Sequence, residues 1–356
     1  MASWTTHRRR ALGTASGPCA LAVAIASAAA APAPAPSAAP PDPVATFSIV
    51  AFDPETGDLG VAVESKFFGV GAVVPWAKAG VGAVATQAFA NTTFGPRGLH
   101  LLEMGFPAQE ALDVLVKSDP RSDRRQVGVV DAKGRPATRT GSKCNPWAGG
   151  RTGDQYAAQG NILTGKEVVD AMAAAFEGSA GRPLADRLVE ALLAGQAAGG
   201  DSRGQQSAAL LVVRQKGGYA GLNDRYVDLR VDDHPRPIEE LERLLEIHHT
   251  VNAFADARFF MEKGDHARGV RMMEQAVARV DADPNAAGPA RGGAWYDLGC
   301  FYALAGMGGK AVDALEKGFR LSPSLIPYSL TDPDLDPIRD DPRFRAMVKD
   351  AAPPKE

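Results

Sequence analysis

The sequence predicts an α+β domain of two packed sheets between helical layers, followed by an all-α module. Three observations predict it. Strand-like runs come in groups separated by pairs of helices, not in single alternation with them. The first two runs are apolar on nearly every position, which buries both of their faces. Behind Thr250 only helical spacing remains.

Thr46 to Phe52 and Leu59 to Glu64 are rich in strand formers and flank Asp53-Pro54-Glu55-Thr56-Gly57, whose turn chemistry makes them a hairpin. Val70 to Val74 and Val81 to Gln87 read as further strands. Gly95 to Met104 and Pro107 to Lys117 have helical spacing, with Gly105 placed to stop the first helix and Pro107 to begin the second. Val127 to Val130 and Pro136 to Thr140 flank Asp131-Ala132-Lys133-Gly134 as a second hairpin, and a Gly-rich loop follows over 141–153. Thr164 and Glu167 stand at capping-box spacing before Val168, Val169, Met172 and Phe176. Pro183 then opens a helix with Leu184, Leu188 and Leu192 on one face. Ser207 to Arg214 and Tyr226 to Val231 are strands, and a helix from Pro237 to His249 closes the domain.

In the last segment, Trp295, Leu298, Gly299, Tyr302, Gly306, Ala311, Leu315 and Pro323 resemble the tetratricopeptide repeat pattern position by position. A fainter copy uses Ala257, Phe260, Gly264, Met273 and Ala276, with 283–293 as an insertion between the two. Two repeats are too few for a free solenoid, so the module over 250–350 is expected to pack on the preceding domain or on the helix ending at Met347.

The 356 residues are 45% hydrophobic, enough for one large core or two smaller ones. Lys and Arg total 39 against 42 for Asp and Glu, so there is no basic excess for nucleic-acid binding. His7 to Arg10, the apolar run Cys19 to Ala31 and Ala26-Ser27-Ala28 read as an export signal over 1–31, loosely of twin-arginine type. That run is shorter than the roughly 20 residues of a spanning helix, so no permanent membrane anchor is expected. A Pro/Ala spacer over 32–45 follows, and the implied location is periplasmic or secreted. Cys144 and Cys300, the cysteines outside the leader, give no disulfide framework.

Thr46-Phe47-Ser48-Ile49-Val50-Ala51, Gly82-Ala83-Val84-Ala85-Thr86-Gln87 and the run from Gly199 to Ser207 resemble the bacterial domain-of-unknown-function 1028 family over roughly residues 46–249. The resemblance implies a four-layer αββα sandwich of the N-terminal-nucleophile hydrolase type. It also implies that Thr46 matches the threonine that follows the initiator methionine in cytosolic relatives. Threonine suits that place because its own α-amine, of reference pKa about 7.7–8.0, can take the hydroxyl proton near neutral pH. Lys66 resembles the charged position that follows this strand in proteasome-type members of the superfamily. With Glu64 two residues before it on the same strand face, it is a candidate to depress the amine, and Lys78 is a second cation candidate. The plainer alternative for these charges is a solvated ion pair and a loop lysine.

For oxyanion or substrate binding the candidates are Asn91, Asn161, the turn at Gly200 and Asp201, and the guanidinium groups of Arg97 and Arg203. Turn capping and surface ion pairing compete for the same residues. Gly160 to Lys166 has phosphate-loop spacing, but Glu167 stands where a hydroxyl is required. Cys144 has no neighbouring histidine in sequence. His248 and His249 are expected to cap a helix end, and no metal-ligand spacing occurs, so neither metal nor cofactor is implied. Two functions follow. One is an exported amide hydrolase acting on a small amide or peptide through Thr46. The other is a non-catalytic secreted protein that holds a protein or peptide partner on its repeat module.

Overall fold

A computed structural model of the chain describes residues 46–351. The expected export signal over 1–31 and the spacer over 32–45 lie outside the described residues. β1 (Thr46–Phe52) and β2 (Leu59–Ser65) form the expected hairpin, with Phe47 opposite Glu64 and Phe52 opposite Leu59. All of β2 and all but the last residue of β1 are buried, as their apolar pattern on both faces required.

The strand expected at Val70–Val74 is instead one 3-10 turn, Val70–Ala72, and β3 (Pro75–Lys78) comes after it. Gly69 takes a left-handed φ of 66°. Gly71 then passes so near Ala209 that a Cβ there would stand 2.8 Å from the alanine Cβ. Two glycines thus release an apolar run from strand geometry. β4 (Gly82–Ala88), α1 (Phe94–Glu103) and α2 (Ala108–Lys117) follow as expected, with Pro107 at the α2 cap.

β5 (Arg125–Asp131) and β6 (Pro136–Thr140) make the second hairpin. The loop expected over 141–153 contains a strand, β7 (Gly149–Gly153), paired with β8 (Tyr156–Asn161) at the sheet edge. Its glycines carry no alternation to read, so pairing on β8 alone defines it. α3 (Glu167–Gly178) starts at Glu167 with Lys166 at the cap and no capping side chain. The expected Thr164 capping box is therefore not formed, and the Thr164 amide donates instead to the Gly200 carbonyl. α4 (Leu184–Ala197), β9 (Ser207–Val213) and β10 (Arg225–Val231) complete the sheets.

The strand orders are β10-β9-β2-β1-β8-β7 and β3-β4-β5-β6, with antiparallel pairing throughout. Alternation along β1 sends Ile49 into a cluster with Met172 and Leu188 of α3 and α4, and Val50 into a cluster with Ala83, Ala85 and Val130 of the other sheet. Val84, Val127 and Val129 meet Phe94, Leu112 and Leu115 of α1 and α2. Each sheet therefore carries a helix pair on one face and meets the other sheet on the second.

α5 (Pro237–Glu262) runs for 26 residues straight through the expected boundary at 249/250. Leu241 and Leu245 pack into the sheet domain, while Ala257 and Met261 pack into a second core. After Pro237 the helix holds no Gly or Pro to break it, so the change in character marks a change of packing partner. His248 and His249 consequently sit inside the helix and not at its end. α6 (His266–Ala282), α7 (Gly288–Leu304), α8 (Gly308–Leu321), α9 (Ile326–Ser329) and α10 (Pro342–Val348) form the helical C-terminal region. The insertion expected at 283–293 is shorter, because α7 begins at Gly288. Among the described residues no helix is long and apolar enough to cross a membrane.

Candidate functional site

Thr46 opens the strand next to the centre of the six-stranded sheet, and around it the layer between the sheets changes from apolar to polar. Alternation aims Thr46 and Ser48 at the facing sheet on the same side as Val50. Opposite them on β8 stand Asn161 and Gln159. From the facing sheet come Gln87 and Gln126, which are paired across β4 and β5.

These side chains satisfy one another. Ser48 Oγ donates to Gln87 Oε1 at 2.5 Å and accepts from Gln159 Nε2 at 2.7 Å. Gln87 Nε2 donates to Gln126 Oε1 at 2.9 Å and to the Thr46 carbonyl at 3.3 Å. Gln126 Nε2 reaches the Gly160 carbonyl at 2.7 Å and Thr140 Oγ1 at 2.8 Å, and Gln126 Oε1 accepts from Asn161 Nδ2 at 3.0 Å. Thr46 is fully buried, and its Oγ1 donates to Ser65 Oγ at 3.2 Å. Beside it, Asn161 Oδ1 is buried without a hydrogen-bond partner. Buried polar groups are normally paired, so this oxygen marks a place where an incoming group would be met.

Ser48, Ser65, Gln87, Gln126 and Gln159 were not singled out from the sequence. Their signal is a polar residue toward one end of a mostly apolar, buried strand. It points to a site only once the register shows that all of them face one layer.

Glu64 occupies the other face of the sheet, beside Phe47. It is fully buried, and neither carboxyl oxygen has a hydrogen-bond partner of ordinary geometry. Burial, and then the charge of Asp201, push its carboxyl well above the usual range, against the pull of the Gln206 amide, Arg203 and Lys66. A raised folded value means that the native state holds the proton more tightly than the unfolded chain. This group's contribution is therefore complete below the unfolded carboxylate range and is lost as pH rises through the folded value. Glu64→Gln is expected to remove that decline and to be the more stable form at alkaline pH. Urea midpoints compared across pH check this, and identical pH slopes for the two proteins would rule it out.

Asp201 is buried and organises the rim. Its carboxylate accepts from the Lys66 amide at 3.1 Å and pairs with Arg203 Nη2 at 2.8 Å. Gly200 turns with φ 58°, and its amide donates to the Gly195 carbonyl. β2 ends at Ser65, so Lys66 lies just beyond the strand, exposed, with Nζ on the Gln205 carbonyl at 3.1 Å.

Three candidates stand apart from Thr46. Lys78 pairs with Gly82, at the opposite end of β4 from Gln87, and forms an exposed ion pair with Glu103 at 2.5 Å. Asn91 accepts from the Thr93 amide and donates to Asp119 at 2.9 Å, which is turn chemistry. Arg97 is exposed and donates to Ser118 Oγ. Burial pushes the Cys144 thiol up, away from reactivity. Among the described residues no group of three or more His, Cys, Asp or Glu is arranged to hold a metal ion.

A family model described as a family of unknown function, DUF1028, matches residues 46–241. Among solved structures, a protein of that family from Silicibacter pomeroyi is similar at a TM-score of 0.52 and 33% identity, over 57% of this chain and 88% of that one. No curated protein matches the chain.

Proposed function

This chain belongs to the DUF1028 family, and from that premise we propose that Thr46 is the nucleophile of an amide hydrolase of the N-terminal-nucleophile type. The observation that carries the reading is the Thr46 hydroxyl held against Ser65 Oγ beside the unpaired Asn161 oxygen, at the polar end of two packed sheets. Cutting the Ala45–Thr46 bond frees the α-amine. The α-amine takes the hydroxyl proton, Oγ1 attacks the substrate's amide carbon, the substrate C–N bond breaks as its nitrogen takes that proton and leaves as an amine, and water hydrolyses the acyl ester, returning a proton to Oγ1. Ser65 orients the hydroxyl. The substrate is a small amide or peptide, met outside the cytoplasm after export. Lys78 has no part in this reading, since it is paired with Glu103 at the far end of β4.

The complete burial of Thr46 favours a second reading, a secreted binding protein whose tetratricopeptide-like helices hold a peptide or protein partner. Intact mass of the exported protein, with and without a β-lactone electrophile, separates the two. The hydrolase reading expects a chain that begins at Thr46 and gains one acyl adduct, which is absent in Thr46→Ala. A chain that keeps residues ahead of Thr46 and takes up no adduct would defeat it.

A further inference from the structure

At the other end of β1, roughly 20 Å from Thr46 at strand rise, a cavity of about 360 Å³ opens where α5 and α6 meet the β1–β2 turn and the start of α4. Its floor is a buried charge network. Arg214 Nε and Nη2 each lie 2.7 Å from an oxygen of Asp58, and Nη1 lies 3.7 Å from Asp256. On the side, His249 Nε2 meets Asp186 at 3.2 Å. Asp58 and Asp256 thus share the one Arg214 guanidinium, and Asp186 faces His249.

The rest of the wall is positive. Arg182, Arg268, Arg271 and Arg279 line it together with the apolar surfaces of Pro183, Ala253 and Met272. Arg268 pairs with Glu55 at 2.6 Å and Arg279 with Glu246 at 3.5 Å, while Arg182 pairs with Glu190. None of these glutamates lines the cavity. Among the described residues none forms an ion pair or hydrogen bond with the Arg271 guanidinium. Of the five guanidinium groups lining it, Arg271 alone carries no ion pair among the described residues, in a partly apolar chamber of the size that takes small molecules.

We propose that this cavity binds a small organic anion, a carboxylate or phosphate head on an apolar flank, with Arg271 gripping the head. The guanidinium fork suits either head group, and the floor network presents fixed walls that need no rearrangement on binding. The site is independent of the chemistry at Thr46, and a binding measurement tests it without reference to turnover.

Calorimetric titration of the full chain with phenylacetate, phenyl phosphate, inorganic phosphate and benzyl alcohol decides the matter. The expected result is saturable millimolar or tighter binding of at least one aryl anion, no binding of benzyl alcohol, and at least tenfold weaker binding in Arg271→Glu with an unchanged melting temperature. The tighter of the two aryl anions names the head group. Binding of inorganic phosphate as tightly as phenyl phosphate would overturn the apolar flank. Absence of saturable aryl-anion binding, or binding indifferent to Arg271→Glu, would overturn the site.

Discussion

Asp58→Ala is expected to destabilise the fold by about 3–5 kcal/mol, the usual loss when one partner of a buried ion pair is removed and the other is left without its countercharge. The pair is bidentate, with both bonds at 2.7 Å and side chains only 8% and 2% exposed. The Arg214 guanidinium also lies over the rings of Tyr226 at 3.8 Å and Phe259 at 4.3 Å, so it cannot swing to solvent without giving up both contacts. Asp256 is a poor substitute partner. It is farther away, and burial raises its carboxyl against the pull of the Tyr226 hydroxyl and Arg214. Asp256→Ala should accordingly cost less than Asp58→Ala, and Arg214→Met should cost less than Arg214→Ala because it keeps the apolar volume. Urea unfolding with unchanged slopes measures the series. A loss below about 1 kcal/mol for Asp58→Ala would show that the arginine finds water or another acceptor.

The strength of this link bears on how the two cores are joined. Asp58 precedes β2, Arg214 follows β9, and Asp256 and Phe259 belong to the half of α5 that leads into the helical region. Arg214, fixed by Asp58, therefore ties the sheet domain to the helices through Asp256 and the Phe259 ring, at a point where the sequence showed only a change in composition. The expected boundary after His249 rested on a shift in hydrophobic pattern. Such a shift marks where a helix changes partners as readily as where it stops.

Most strands and helices were legible because their period is local. β1 and β2 announced themselves by unbroken apolar runs, and α1 and α2 by Gly105 and Pro107. What failed had no periodic pattern of its own. Gly71 is shaped by Ala209, far away in sequence, and β7 is a glycine-rich strand defined only by its pairing with the adjacent β8. The candidate site divided in the same way. Thr46, Asn161, Asp201 and Arg203 were singled out from residue type and family resemblance. Lys78, at the far end of β4, could be set apart from Thr46 only once strand ends, sheet faces and register were known. Gln87 lay inside a motif singled out for resemblance. Its role could not be read there, since a glutamine facing another sheet and one facing water look alike in a single sequence.

Gln126→Leu is the second large effect, and it acts at the Thr46 end of the sheets. The leucine removes the acceptor of the Asn161 Nδ2 bond, and Asn161 Oδ1 already has no partner, so the whole Asn161 amide becomes a buried group without bonds. It also removes the donor to Thr140 Oγ1 and to the Gly149 and Gly160 carbonyls. At about 1–3 kcal/mol for each buried polar group left unsatisfied, the expected loss is about 3 kcal/mol or more, even though the substitution is a gain in hydrophobicity. Gln126→Glu does no better. It keeps acceptors for Gln87 and Asn161 but places an unpaired charge in the layer. If the layer holds Thr46 in its working geometry, acylation by the β-lactone should slow in Gln126→Leu at temperatures where the variant is still folded. Ser48→Ala should have a smaller effect, because Gln87 and Gln159 each retain another bond. Thermal melting and adduct rates measured on the same samples separate the two roles. A variant that melts early but acylates at the wild-type rate would make the glutamine layer a clamp between sheets and nothing more.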